Sequence, residues 1–310
     1  MLRKTVSVGL ALSATLMAIE SAADDTQNRS IIEFDLTKGA PSVDVEISGT
    51  SYNFLVDPSL KKSRFLVNPS IAKELGLENS GIFSIQADVD GEIFDVKSDK
   101  VKIKVNQGKE KKRKIYWIER DYWDSFDGVI SASRLGYDKV SFFIPETNGK
   151  KYIKKPLETI SENDWRIPIT FHDELPREVT VSFKPHLESS RANLVLSQTL
   201  RHHKLITLDD TRVHDFRREF GVQAQVAKTT FKNPANIFGI KVPTIDIQIN
   251  TSALEVGSKD YDEIIVKGTQ KKSSKFKPAL LLTKDFLGEC VRIEFSKDSN
   301  VANIYCEDAR

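Results

Sequence analysis

The chain has 310 residues, 39% of them hydrophobic, and a formal net charge of +2. A chain of this length and composition can bury a sizeable core and is expected to form two domains or one large one. Its near-neutral charge gives no overall attraction to nucleic acid or anionic lipid, so bulk charge predicts no nucleic-acid partner.

Residues 1–23 have the composition of a secretory signal peptide. Two basic residues precede an apolar run over 6–19, and small residues suit cleavage after Ala23. A membrane anchor is the alternative, but the run is shorter than the ~20 residues that a span needs. We therefore expect a soluble protein without a transmembrane segment, exported to the bacterial periplasm or secreted. Residues 24–42 are expected to be a flexible segment, with an edge strand over 31–36.

The first candidate for chemistry lies within residues 43–77. Alternating apolar and polar residues, a turn and a second apolar run lead up to Asp57. A further strand-like run and a short helix follow over 64–77, and Gly76 ends that helix. This pattern predicts a β-hairpin that places one carboxylate at a strand end. Asp-Pro-Ser is also an ordinary turn composition, which is the alternative interpretation of the acid.

This order of elements resembles the pepsin and retropepsin superfamily of aspartic proteases, in which an apolar run leads into Asp-Thr/Ser-Gly. The chain keeps the run and the acid but has Asp57-Pro58-Ser59 at the motif. Pro58 lacks the hydroxyl that helps to lock the two catalytic loops in the family, and it lacks a backbone donor. Ser59 adds a Cβ where the family has glycine, although its hydroxyl is able to bond Asp57.

Two later segments fit the same resemblance. Residues 126–130, FDGVI, resemble the hydrophobic-hydrophobic-glycine segment that runs beside the catalytic loop in the family, with Gly128 at the glycine. Residues 88–96 have an Asp90-Gly91 turn between strand-like arms, which matches the position of the flap hairpin. The resemblance implies that Ser59, Asp90, Gly91 and Gly128 line a binding cleft.

The resemblance also implies a mostly β, bilobal pepsin-like architecture with a few short helices. We expect a first lobe over 43–143, a linker over 144–166 where apolar residues are fewer, and a second lobe over 167–310. Residues 208–231 resemble nothing in the first half and are interpreted as an insertion. The expected internal matches are 178–183 with 43–47, 193–200 with 65–72, and 279–295 with 129–143.

Peptide hydrolysis by this family needs two carboxylates that share one proton. In a two-lobed chain the second acid is expected in the turn before Asn193, but that turn contains no Asp. Glu188 is the nearest acid, and its longer side chain would place the carboxylate elsewhere. The sequence therefore predicts Asp57 as a catalytic residue of a degenerate site.

Two arrangements would still supply a second acid. Retroviral-type members pair one Asp from each subunit by symmetric dimerisation, but a second lobe would occupy the docking face. Asp209 and Asp210 are further candidates, although they follow the expected helix instead of preceding its strand. We expect a monomer.

Cys290 and Cys306 bracket two strand-like arms whose midpoint falls on an Asp298-Ser299-Asn300 turn. In such a hairpin the cysteines face each other, so we predict a cross-strand disulfide, which export favours. Two buried free thiols are the alternative.

The remaining motifs predict no cofactor and no metal site. His202, His203 and His214 have no carboxylate or cysteine at a recognisable ligand spacing, so surface histidines are the better interpretation. The basic run at 109–114 is interpreted as a solvated hairpin tip, with contact to an anionic surface as the alternative.

Together these patterns favour an exported, catalytically degenerate pepsin-like protein that binds a peptide or protein partner in the cleft between its lobes. The first alternative is an active aspartic endopeptidase that uses Asp57 with a non-standard acid or by dimerisation. The second is a structural component of an envelope assembly.

Overall fold

The computed structural model describes residues 31–60, 65–80, 85–89, 92–106, 108–120, 123–146, 149–158, 167–170, 178–187, 189–217, 223–237, 240–249, 278–288, 290–296 and 301–308. The predicted signal peptide over 1–23 lies outside these residues.

The described chain is mostly β-strand, which confirms the predicted class. Its two α-helices are α1 (Pro69–Glu74) and α2 (Leu194–His202), and two short 3-10 helices span Ala132–Arg134 and Lys284–Gly288. In chain order the strands are β1 (Ile31–Asp35), β2 (Ser42–Ile47), β3 (Thr50–Asp57), β4 (Phe65–Val67), β5 (Ile85–Val89), β6 (Glu92–Val105), β7 (Lys111–Trp117), β8 (Gly128–Ser131), β9 (Lys139–Phe143), β10 (Tyr152–Glu158), β11 (Ile167–Thr170), β12 (Glu178–Phe183), β13 (Arg191–Ala192), β14 (Ile206–Arg217), β15 (Gln223–Ile237), β16 (Ile240–Ile249), β17 (Ala279–Leu282), β18 (Cys290–Ser296) and β19 (Val301–Glu307).

Seven strands form the sheet of the first half, in the spatial order β2-β3-β8-β4-β7-β6-β5. β2 also pairs with β6, so six of these strands close on one another. Val43, Val45 and Ile47 of β2 are buried, while the residues between them are exposed or half-buried. The alternation in the sequence therefore sets which face of the strand meets the core.

The second half repeats this plan strand for strand. Its sheet has the order β11-β12-β17-β13-β16-β15-β14, which takes the seven strands in the same sequence of positions as the first sheet. Neighbouring strands also have the same relative directions in both sheets. β12 therefore corresponds to β3, and β14 and β15 correspond to β5 and β6.

Three details of the predicted repeat are wrong. Residues 193–200 contain no strand, since Asn193 caps α2 as Asn68 caps α1, so they correspond to the start of α1 and not to residues 65–72. Residues 178–183 form β12 and correspond to β3 instead of residues 43–47, because β11 takes the position of β2. Residues 208–231 are not an insertion, since 208–217 lie in β14 and 223–231 lie in β15, at the positions of β5 and β6. Alternating patterns look alike in every half-buried strand, so only the pairing decides the correspondence.

A third sheet, of five strands in the order β1-β9-β18-β19-β10, brings together segments distant in sequence. β1 lies within the segment 24–42 that was predicted to be flexible, and it pairs in parallel with β9 as the expected edge strand. The predicted linker over 144–166 contains β10, which pairs with β19 along seven residues. Residues 152–158 are thus an edge strand, which suits their polar composition, and this part of the segment is not only a linker.

The core is continuous between the halves. Buried hydrophobic residues of all three sheets form one cluster. Phe142 of β9 lies 5.9 Å from Phe183 of β12 and 6.0 Å from Phe295 of β18, measured between ring centroids. This packing fixes the end of β12 against the shared sheet.

Cys290 and Cys306 lie opposite each other in β18 and β19 and form a disulfide, as predicted. They are the only two cysteines of the chain. Both are buried.

We expect reduction of this disulfide, or the double substitution Cys290→Ser/Cys306→Ser, to lower the free energy of unfolding by about 3 kcal/mol. The reason is that the bond closes a short loop in the unfolded chain. Urea unfolding of the oxidised and reduced protein measures the difference. A reductant should leave the double variant unchanged, and equal stability of the oxidised and reduced wild type would contradict the expectation.

Candidate active site

Asp57 is delivered by a buried strand. Phe54, Leu55 and Val56 of β3 are each 1% exposed or less, and Asp57 ends the strand at 5% exposure. The turn that follows bonds the carboxylate, because the backbone N–H and the hydroxyl of Ser59 donate to Asp57 Oδ1 at 2.7 and 2.6 Å. The predicted hydrogen bond from Ser59 is therefore present.

The corresponding position of the second half is Lys184. Asp57 lies opposite Ser131 across the β3–β8 pairing, and Lys184 directly follows β12, where its N–H donates to the carbonyl of Leu282 at 2.7 Å. The two turns also match. Leu60 N–H donates to the carbonyl of Asp57 at 3.3 Å, and Leu187 N–H donates to that of Lys184 at 3.1 Å.

These two charged side chains meet between the halves. Lys184 Nζ donates to Asp57 Oδ2 at 3.2 Å, and the side chains are only 8% and 7% exposed. A charge this deeply buried requires a partner, since an unpaired buried ion costs several kcal/mol. The resemblance to aspartic proteases predicts two carboxylates at this place. The structure has a buried ion pair there instead.

The electrostatics keep Asp57 ionised. Burial by itself raises the pKa of this carboxyl, but the charges of Lys184 and His186 and the hydrogen bonds from Ser59 lower it more, so the pKa lies below its usual value. The site consequently has a carboxylate that holds no proton near neutral pH.

The other predicted site residues divide into two groups. Gly128 is buried in β8, where an added Cβ would lie 2.3 Å from the carbonyl oxygen of Leu66 and 2.7 Å from the ring of Phe54. Its lack of a side chain serves packing, and no surface is left there for a ligand. Asp90, Gly91 and Glu188 lie outside the described residues.

The strands that flank the predicted flap turn do pair. β5 and β6 are antiparallel, with Val89 opposite Glu92. Leu60, in the turn after Asp57, packs against a small apolar cluster. The other members of this cluster are Leu66, Phe94, Val96, Tyr116, Ile118 and Trp123. Because Phe94 and Val96 belong to β6, the cluster joins the base of this hairpin to the Asp57 turn.

The two halves have different residues at one matched position of the strands β4 and β13. Leu66 of β4 corresponds to Arg191 of β13, since both strands pair in the same way with β8 and β17. Arg191 is 6% exposed and its guanidinium lies 4.2 Å from the ring centroid of Phe216. Burial lowers the pKa of Arg191, although nearby carboxylates raise it.

A surface pocket of about 550 Å³ lies in the first half, beside α1. It does not include Asp57 or Lys184. Its lining residues are Pro69, Ser70, Ala72, Lys73, Leu77, Glu78, Asn79, Lys97, Trp117 and Glu119.

In the part of the chain that the structure describes, no group of three or more His, Cys, Asp or Glu side chains is arranged to hold a metal ion. No helix there is long and apolar enough to cross a membrane.

Lys184 is the site residue that the sequence reasoning missed. Its signal is present in the sequence, because Asp57-Pro58-Ser59-Leu60 and Lys184-Pro185-His186-Leu187 share a proline and a leucine at the same spacing. The expected match of 178–183 with 43–47 hides this correspondence, because it places β12 at the position of β2 instead of that of β3.

The chain was compared with known proteins. No protein-family model matches it, and no curated protein matches it. Among solved structures, it is similar to a retropepsin-like aspartic protease from Rickettsia conorii, with 17% identity over 32% of this chain and 78% of that chain and a TM-score of 0.25. We therefore infer function from the site alone.

We expect Lys184→Met to lower the free energy of unfolding by about 3–5 kcal/mol, because it leaves the Asp57 carboxylate buried without its countercharge. The double variant Asp57→Asn/Lys184→Met should recover part of this loss. Urea unfolding at pH 7 measures all three proteins. The matched control is Lys97→Met, which removes the exposed ion pair with Glu119 and should cost less than about 1 kcal/mol. Equal costs for Lys184→Met and Lys97→Met would contradict the buried pair.

The pKa of Asp57 predicts a dependence of stability on pH. Its pKa in the folded state is lower than the unfolded value of about 3.9, so the carboxylate stabilises the fold above that pH, and this contribution is lost as pH falls through the folded pKa. The stability difference between wild type and Asp57→Asn should thus be constant above about pH 5 and should shrink below about pH 4. Unfolding curves between pH 2 and 7 provide the test, and a difference that grows on acidification would refute it.

Proposed function

We propose that this chain is an exported, bilobal β protein whose pepsin-like site no longer hydrolyses peptides and whose cleft binds an extended polypeptide. The observation that carries the proposal is the buried hydrogen-bonded pair of Lys184 Nζ and Asp57 Oδ2, 3.2 Å apart. Export rests on residues 1–23 alone.

The ion pair is unsuited to the hydrolysis of an aspartic protease. That mechanism needs one ionised and one protonated carboxyl around a water molecule. Here Lys184 takes the place of the second carboxyl, and its charge favours the ionised form of Asp57. A direct bond of 3.2 Å also leaves no room for a water between the two groups.

The same pair argues against the dimeric alternative. A retroviral-type dimer would bring the Asp57 of a second chain to this carboxylate. That place is occupied by the second half of the same chain, through Lys184 and the packing of Phe183 on Phe142. A second subunit would have to displace a buried ion pair and part of the core.

Binding is supported by what surrounds the ion pair. Ser59 and Leu60 in one turn, and His186 and Leu187 in the other, are half-buried, while the charges beneath them are buried. Leu60 continues into the apolar cluster that includes Phe94 of β6. An extended peptide would pair its backbone with strand edges and place apolar side chains against this cluster.

The absence of hydrolysis is tested directly. The protein is incubated with a reduced, alkylated polypeptide between about pH 3 and 7, the range in which a pair of carboxyls sharing one proton is active. We expect no cleavage above that of the Asp57→Ala variant. Cleavage that pepstatin inhibits and Asp57→Ala abolishes would establish the active endopeptidase instead.

Binding is tested with the same polypeptide carrying a fluorophore, by anisotropy. Ser59→Trp and His186→Trp, one in each turn, should each weaken binding at least tenfold, because the added ring fills the cleft. Lys38→Trp is the control, since Lys38 lies in an exposed turn with 82% of its side chain accessible. Unfolding midpoints close to wild type confirm that each variant folds.

Two results would contradict the binding role. The first is no binding by the wild type, which leaves the structural envelope component as the better hypothesis. The second is an equal loss of affinity in Lys38→Trp and the two turn variants, which would place the contact outside the cleft.

A further inference from the structure

The positive charge of this chain is concentrated in one hairpin. Residues 97–114 contain nine lysines and arginines and two acids, which gives +7 in a chain of net charge +2 and leaves −5 for the rest. Bulk charge therefore conceals a strong asymmetry. An asymmetry of this kind is typical of proteins that contact a polyanion.

The structure arranges this charge on one face of a sheet. The run at 109–114 was interpreted as a hairpin tip, but from Lys111 onward it is strand β7, paired with β6. Lys100 lies directly opposite Lys114, and Lys102 lies directly opposite Lys112. We call these four residues the lysine face.

The opposite side of the two strands packs into the core. Val101 and Ile103 of β6 and Ile115 of β7 are buried. Because side chains alternate along a strand, this fixes the lysine face on the outside. Like charges directly opposite one another destabilise a strand pair, so this arrangement opposes folding instead of assisting it.

Contacts within the chain neutralise only part of the positive charge of the lysine face. Lys102 Nζ lies 3.3 Å from a Glu110 carboxylate oxygen, and Lys114 Nζ lies 5.3 Å from the ring centroid of Tyr116. Lys100 and Lys112 are exposed and form no ion pair within the described part of the chain.

We propose that the lysine face docks on the headgroups of an anionic phospholipid bilayer. Its lysines stand on two paired strands, which suits a planar array of phosphates. The aromatic ring next to it, that of Tyr116, lies under Lys114 and is not available for base stacking, which disfavours single-stranded nucleic acid. The rest of the chain has a net negative charge and is repelled by the anionic bilayer, so the protein would approach the membrane with the lysine face towards it.

The experiment measures binding of the full chain to vesicles by flotation. One set contains 30% phosphatidylglycerol in phosphatidylcholine and the other phosphatidylcholine alone. The readout is the ratio of the affinity for the anionic vesicles to the affinity for the phosphatidylcholine vesicles. Every variant keeps the same N-terminus, so binding through that segment does not change between variants. We expect preference for the anionic vesicles at 50 mM salt and its loss at 500 mM, where surface charges are screened.

The substitutions Lys100→Gln/Lys112→Gln should weaken binding to anionic vesicles about 25-fold, since each lysine near such a surface contributes roughly a fivefold effect. Lys102→Gln/Lys114→Gln is a second, independent pair for the case in which the first fails to fold. The control is Lys228→Gln/Lys232→Gln, two exposed lysines on β15 of the other half, which should change the affinity less than twofold.

Three results would overturn the proposal. They are equal binding to both kinds of vesicle, an equal loss in the control variant, and tighter binding to duplex DNA or polyglutamate than to the anionic vesicles at matched charge concentration. Polypeptide binding in the cleft should be the same in all these variants, so the two proposals fail separately.

Discussion

The interaction on which the rest of this structure depends is the buried contact of one carboxylate with one ammonium group. Asp57 ends β3 and Lys184 directly follows β12, each strand lies in the interior of its own sheet, and neither charge is stable in that place without the other. The pair therefore joins the two halves at a buried point, beside the packing of Phe183 on Phe142. The same contact sets the protonation state of Asp57, which decides what chemistry the site is able to perform.

The two halves have one plan and different chemistry. Seven strands recur in the same order, and the turns after Asp57 and Lys184 share a proline and a leucine. They differ at two matched positions of the candidate site, where Asp57 corresponds to Lys184 and Leu66 corresponds to Arg191. At the first of these positions the two halves carry opposite charges, and these form an ion pair.

Much of the fold was predictable because it depends on patterns between residues that are close in sequence. Alternation indicated the β class, and the spacing of Cys290 and Cys306 indicated their pairing. The role of Lys184 was not predictable from local pattern, since its correspondence with Asp57 depends on which strands pair across more than a hundred residues. The lysine run at 109–114 was interpreted as a hairpin tip, because composition alone does not show the cross-strand hydrogen bonds that place it in β7 from Lys111 onward.

The most direct test of the ion pair is a nuclear magnetic resonance titration of the Asp57 side-chain carboxyl carbon. If Lys184 holds the carboxylate, this carbon keeps the chemical shift of an ionised group from pH 7 down to below pH 3.8, the usual value for Asp, and in Lys184→Met its pKa moves upward. A carboxyl that titrates above that value in the wild type, or that is unaffected by Lys184→Met, would contradict the account.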